Sequence, residues 1–340
     1  MTVADLTVGI VGIGSIGQTH ARALKEIDGV RLTCYSGGTA DSGEAAGWPQ
    51  ARQTTHDRLI DSGDVDIVVL CSPTGLHGAA AISIAGSGRH VVVEKPMSLN
   101  VSEADELVRI QRRGTAIVSM VAQRRFEDVY AHTRRLLRDG RIGDVRLGMT
   151  VVPWWRDASY FEAAPWRTRA DEGGSLVNQG VHNVDLLQWL CGDVHSVTAQ
   201  SATLALPIEA EDTTAVTLRF ESGAIGLIAT STATPPGFPA TLTLYTSHGA
   251  VELGQGDVRR WEVPEVEPPA SVGATVGGGS DPAAIGSGGH VAYWRDVIDS
   301  VRERRVPLID AVEGAKVTRL LCGIREAAAT GTAVSLADLR

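Results

Sequence analysis

Apolar runs alternate with segments of helical spacing through the first third of the chain. The runs LTVGIV, VRLTCY, DIVVLC, HVVVEKP and TAIVSMV read as strands, while SIGQTHARALKEI and SEADELVRIQRRG place apolar residues three and four apart. Strand, helix, strand at these intervals predicts parallel βαβ units with right-handed crossovers, and so a doubly wound α/β sheet over residues 1–122. Ser102, followed by Asp105 and Glu106, is the expected N-terminal cap of one helix.

From residue 123 to 340 the texture differs. A helix ending in RDGRIG leads into long β-rich runs, DVRLGMTVV, VHSVTAQSATLAL, TTAVTLRFESGAIGLIATSTA and ATLTLYTSHGAVEL. Hairpin signals lie at Glu221-Ser222-Gly223 and Ser247-His248-Gly249. These features predict an α+β second domain, a large and mostly antiparallel open sheet carrying the helix 175–190 on one face. Residues 264–289, rich in Gly and Pro, are expected to form a mobile loop. Two helical segments, HVAYWRDVIDSVRERR and AVEGAKVTRLLCGIREAAATG, close the chain.

With 340 residues the chain has ample length for two cores. Its formal net charge of −9 and the lack of any Lys/Arg run leave no electrostatic footprint for nucleic acid or an anionic membrane. Cys34, Cys71, Cys191 and Cys322 are scattered, without the paired spacing of a zinc or redox motif, and are expected to be free thiols in a reducing compartment. The first apolar run has no basic segment before it and no run is long enough to span a bilayer, so a cytoplasmic location is expected.

Chemistry enters at Gly12-Ile13-Gly14-Ser15-Ile16-Gly17, which follows the first strand and opens a helix. In that context G-x-G-x-x-G is a pyrophosphate cradle at a helix N-terminus. The second strand ends in Tyr35-Ser36-Gly37-Gly38-Thr39, without the carboxylate that would bind the adenosine ribose hydroxyls of NAD. Ser36 can donate to a 2′-phosphate instead, and the balance for NAD(P) tips slightly toward NADP. Ser72, Pro73 and His77 follow the third long strand, and Glu94 and Lys95 follow the fourth, at the strand ends where such sheets bind ligands. His77 reads as a capping or cofactor-adjacent residue. Lys95, at the mouth of a buried sheet, is costly unless paired, with Glu94 for example, or used.

The stretch GGSLVNQGVHNVDLLQWL then sets Asn178, His182 and Asp185 at i, i+4 and i+7 of a helix, two of them proton-handling groups on one side. A structural His held by Asp185 and a catalytic face are both compatible with the pattern. Upstream, PWWRDASYFEAAPWR offers Arg156, Tyr160 and Trp166 as a saccharide surface, with some of its Trp residues expected in the core.

Taken in order, G-x-G-x-x-G, SPTGLH, HVVVEKP, RIGDVRLG and GGSLVNQGVHNVDLLQW resemble the glucose-fructose oxidoreductase, inositol dehydrogenase and MocA family over nearly the whole chain. The resemblance implies a Rossmann domain joined to an open-sheet domain and NAD(P)-dependent oxidation or reduction at a carbinol carbon of a sugar or cyclitol. It also implies that Lys95 and His182 are the catalytic pair. Under it, His182 takes the hydroxyl proton, Lys95 stabilises the developing alkoxide, and Asp185 orients the imidazole or anchors the helix. Many members carry Asp where this chain has Asn178, so a carboxylate relay is not expected, while the amide can still bind a sugar hydroxyl. Two other functions share the fold: an NAD-dependent glycosidase that oxidises its sugar transiently, and a non-catalytic dinucleotide sensor, against which the retention of Lys95 and His182 argues. No metal is expected, and the apolar sheet runs predict a homo-oligomer, a dimer or tetramer.

Overall fold

The computed structural model describes residues 5–61, 63–269 and 288–339. The chain divides into two compact units, Met1–Gln123 with Ser287–Thr318, and Arg124–Gly286 with Arg319–Arg340. The first crossing falls where the texture of the sequence changes. The return at 287 was not anticipated by the single boundary after residue 122. It follows from the helix Gly288–Glu303, which buries Tyr293, Trp294, Val297 and Ile298 and packs on the helix Ser15–Leu24 of the first unit. Its period announces an apolar face but not which sheet that face covers.

Among the described residues the first unit holds a six-stranded sheet, from β1 (Leu6–Val11), β2 (Val30–Ser36), β3 (Arg52–Thr54), β4 (Ile67–Leu70), β5 (His90–Val93) and β6 (Val118–Met120), in the order β3-β2-β1-β4-β5-β6. Every pairing is parallel. This is the doubly wound order whose reversal between β1 and β4 opens a ligand crevice at the C-terminal strand ends. β4 is buried at every position because helices cover both faces. The edge strand β3, three residues of Arg-Gln-Thr, has no apolar pattern and was not foreseen. The helix Val101–Arg112 is capped by Asn100 rather than Ser102, the Asn100 side chain accepting from the Ser102 and Glu103 amides. Asn100 lies where the backbone is still extended, which is what a cap requires.

The second unit carries an eight-stranded sheet among the described residues. Its strands are β7 (Val145–Pro153), β8 (Val194–Ala202), β9 (Thr213–Phe220), β10 (Ile225–Ser231), β11 (Thr241–Thr246), β12 (Ala250–Leu253), β13 (Val258–Glu262) and β14 (Val334–Ser335). The order is β13-β12-β11-β7-β10-β9-β8-β14, antiparallel except for the parallel pair β7 and β10. Both expected hairpins are present, joining β9 to β10 and β11 to β12. In β9 Thr214, Val216, Leu218 and Phe220 are buried while Ala215, Thr217 and Arg219 are exposed, the alternation of a sheet covered on one face. That cover includes the helix Val181–Cys191, which approaches closely at Gly148. A Cβ there would lie 2.6 Å from Cys191 Sγ and 3.0 Å from Leu187 Cδ1.

The expected mobile loop falls mostly on residues 270–287, outside the described residues. All four cysteines are free, Cys191 buried and the others partly so. Among the described residues no helix is long and apolar enough to cross a membrane.

Candidate active site

In the first unit the proposed cofactor residues gather at one edge of the sheet, and the three glycines do three different jobs. Gly12 sits at φ +91°, where a side chain is strained, and a Cβ would meet Cys71 O at 2.7 Å. Gly17 lets the helix begin close to the strand, since its Cβ would lie 2.3 Å from Gly12 O. Gly14 has nothing within 4 Å of a Cβ among the described residues, and it stands with exposed Ser15 and Ile16 at the N-terminus of the ten-residue helix Ser15–Leu24. That end presents unpaired amide N–H groups and the positive end of the helix dipole to an anion.

The end of β2 folds over the turn: Ser36 O accepts from the amides of Gly12 (3.2 Å) and Ile13 (2.9 Å). Ser36 Oγ and Ser72 Oγ are both buried with no hydrogen-bond partner among the described residues. Buried hydroxyls left so are unusual, and a dinucleotide laid across these strand ends gives them something to bind. His77 is buried between two carbonyls, Nδ1 2.9 Å from Pro96 O and Nε2 2.9 Å from Ser72 O, and ties the exits of β4 and β5 together. Burial lowers its pKa against the pull of those carbonyls. Glu94 is buried, its Oε1 3.0 Å from His20 Nε2 and its Oε2 accepting the Lys95 amide at 3.1 Å. Lys95 is half-buried just beyond β5.

In the second unit the helix expected over 175–190 has two parts. Ser175–Gly180 is a π-helix, entered from Gly174 at φ +100°, and Val181–Cys191 is α. Wide turns of this kind concentrate at functional sites. Of the described residues from Gly173 to Leu190, Asn178, His182 and Trp189 are the ones not buried. The polar side read from the sequence therefore splits. Asn178 and His182 reach solvent, whereas Asp185 is buried in a two-pronged pair with Arg125, Nε to Oδ2 at 3.0 Å and Nη2 to Oδ1 at 2.6 Å. Of the two roles open to Asp185, the structure supports anchoring the helix.

Further ties hold the same helix. Asn183 accepts from Arg124 Nη1 (3.2 Å) and donates to Thr150 Oγ1 (2.9 Å). Glu211 accepts from Ser175 Oγ (2.6 Å) and the Leu176 amide (2.7 Å) at the start of the π turn. Burial outweighs those donors and raises the Glu211 carboxyl to about 7. None of Arg124, Arg125 and Glu211 stood out in the sequence, where a charged residue on a loop or strand reads as solvated.

The aromatic stretch divides as well. Trp154 is core, packed with Val152 and Ala240. Arg156 is buried beneath the surface it was expected to form, its guanidinium 4.9 Å from the Trp154 ring centroid and 5.3 Å from that of Tyr160, with Nη1 donating to Trp155 O. Tyr160 and Trp166 are half-buried. Arg167, which was not among the chosen contact residues, lies 4.0 Å above the Tyr160 ring and donates from Nη1 to Tyr160 O. The Tyr160 hydroxyl accepts from Gln179 Nε2 at 2.7 Å, which joins this cluster to the π turn.

A parallel sheet with a glycine-lined dinucleotide edge, together with a helix that exposes an imidazole and an amide, defines an NAD-binding oxidoreductase. Residues 6–122 match the oxidoreductase family with an NAD-binding Rossmann fold, and residues 130–252 match the GFO/IDH/MocA C-terminal domain. The chain belongs to the GFO/IDH/MocA oxidoreductase family. It is similar to the myo-inositol 2-dehydrogenase of Thermotoga maritima, 28% identical over 72% of this chain and 74% of the relative. Inositol 2-dehydrogenase 2 of Saccharopolyspora erythraea is 30% identical over 65% of each chain. Among solved structures, the WlbA dehydrogenase from Bordetella pertussis, in complex with NADH and UDP-GlcNAcA, is 31% identical with a TM-score of 0.85, over 97% of this chain and 98% of that one.

Proposed function

We propose that the protein is an NAD(P)-dependent dehydrogenase of a sugar derivative that carries an anionic group, with a nucleotide-linked sugar acid as the first candidate. The observation that carries this reading is the full-length likeness to a dehydrogenase bound to NADH and UDP-GlcNAcA. The guanidinium of Arg167 stacked on Tyr160 supports it, since a planar fork on an aromatic face binds carboxylates and phosphates while the ring edge packs on sugar C–H groups.

A bound nicotinamide supplies the hydride acceptor. With that acceptor bound, His182 would take the proton of the substrate hydroxyl as the hydride leaves the same carbon, which would turn the alcohol into a ketone. Lys95, as a cation, lowers the cost of negative charge developing on that oxygen. Asn178 positions a neighbouring hydroxyl without transferring protons.

The test is dinucleotide absorbance with a panel of free sugars, cyclitols, glycosides and UDP-linked uronic acids. Turnover of the UDP-linked acids at a kcat/KM at least about tenfold above every free sugar and cyclitol is expected, and preference for an uncharged cyclitol would refute the anionic substrate. Release of an aglycone without net cofactor reduction would indicate the glycosidase reading. With no carboxylate from Ser36 to Ala40 at the end of β2, the adenosine site takes NADP as well as NAD. NAD binding tighter by more than about tenfold, roughly 1.4 kcal/mol, would contradict this.

One side of the second sheet offers Leu147, Met149 and Val151 of β7 beside Ile225, Leu227 and Ala229 of β10, none of them buried among the described residues. We infer that a second copy of the chain covers this face, because a contiguous apolar patch of this kind is uncommon on a monomer. A monomer mass by light scattering at micromolar concentration would rule it out.

A further inference from the structure

Three buried ionisable side chains converge in the first unit: His20 on the helix Ser15–Leu24, His290 on the helix Gly288–Glu303, and Glu94, which immediately precedes Lys95. One ligand-type atom from each lies within 4.8 Å of the others. Two imidazoles and a carboxylate at that spacing suit a divalent metal such as zinc, so the proton on His20 decides what the cluster is.

Trp294 supplies the answer. An indole N–H can only donate, and Trp294 Nε1 donates to His20 Nδ1 at 3.0 Å. His20 Nδ1 therefore holds a lone pair, and the ring proton sits on Nε2, 3.0 Å from Glu94 Oε1. A metal on Nε2 would push the proton to Nδ1, against the Trp294 N–H. Flipping the ring places carbon atoms at both contacts and loses both hydrogen bonds.

From Glu94 the chain continues to the catalytic strand end, because its second oxygen accepts the Lys95 amide. Burial alone would raise the Glu94 carboxyl, but the His20 hydrogen bond and the positive charge of Lys95 pull it down. The other groups facing it stay uncharged. Burial raises Cys71 and Tyr293, lowers His77, and pushes His290 down to about 4. His290 stands edge-on to His20, ring centroids 5.3 Å apart, with neither ring nitrogen hydrogen-bonded among the described residues.

We propose that Trp294, His20 and Glu94 form a buried hydrogen-bond chain of fixed tautomer that fastens the backbone at Lys95. His20 and Trp294 are then positioning residues for the reaction and not part of a metal centre. Their effect on turnover rests on the role proposed above for Lys95; the tautomer does not.

Two experiments test this on the full-length protein. In NMR of protein labelled with nitrogen isotope in histidine, His20 should show an unprotonated Nδ1 and a protonated Nε2, unchanged by added zinc. Two protonated nitrogens, or a His20 shift that saturates at one equivalent of zinc, would overturn the proposal. His20→Leu, which removes donor and acceptor, should lower kcat at least about tenfold and move the acidic limb of the kcat/KM profile to higher pH. His20→Gln, whose amide offers both, should recover each to within about threefold while both variants still bind NAD. A His20→Leu enzyme with wild-type kcat and an unmoved limb would overturn the positioning role. If Lys95→Ala keeps full activity, the assignment of Lys95 falls while the tautomer result is untouched.

Discussion

Replacing Asp185 by Asn separates an anchor from a proton relay. The Asp185–Arg125 pair is deeply buried, with side chains 5% and 2% exposed, so water screens little of it. Asn keeps the volume and one acceptor but removes the charge opposite the Arg125 guanidinium, which also lies 5.4 Å from the centroid of the Trp189 ring. Breaking a buried pair from one side costs about 3–5 kcal/mol, and the acceptor that Asn keeps places the expected loss at the lower end, about 3 kcal/mol. At about 2–4 °C per kcal/mol for a unit of this size, the melting transition should fall by roughly 6–12 °C. Arg125→Met combined with Asp185→Leu should recover at least half of that, since no charge is then left buried. The assay is scanning calorimetry of the three proteins, wild type, Asp185→Asn and the double variant, with kcat measured well below the transition. An Asp185→Asn protein of wild-type stability whose kcat is down about 10³ would refute the reasoning, because the carboxylate would then belong to the proton path.

Gly17→Ala should lower the melting temperature by several degrees, because its Cβ meets Gly12 O at 2.3 Å, whereas Gly14→Ala should leave stability unchanged and weaken NAD binding at least about tenfold, read by calorimetric titration. Glu211, raised to about 7 from an ordinary 4.5, keeps its proton in the fold over a range where the unfolded chain releases it. The stability this gives is complete below about 4.5 and lost as pH rises through about 7, so the denaturant midpoint should fall between about pH 5 and pH 8 and be flatter in Glu211→Gln. Asn178→Ala should raise KM more than it lowers kcat, and a loss of kcat as large as that of His182→Ala would show that the amide does more than position.

How far the sequence reached depends on how local each signal is. β4 and β5 were legible because a strand buried on both faces is a continuous apolar run, and the hairpins because Gly223 and the 247–249 turn interrupt an alternating pattern. Gly12 and Gly17 were legible because a tight strand-to-helix turn imposes a fixed glycine spacing. The return of Gly288–Glu303 to the first unit was not, since a helical period names a face and not its partner. Nor were the π turn at Ser175–Gly180 or the Arg125 tie to Asp185, which depend on contacts between residues far apart in the chain. Arg156 and Arg167 show the same limit: both follow a Trp, and burial alone separates them.

We propose that Lys95 and His182 act on one substrate hydroxyl. Steady-state kinetics of Lys95→Ala, His182→Ala and the double variant, with dinucleotide affinity measured on each, test it most directly. Each single variant should lose at least about 10² in kcat with nearly unchanged NAD binding, and the double variant should lose less than the product of the two. A His182→Ala enzyme with wild-type kcat, or losses that multiply fully in the double variant, would contradict the account.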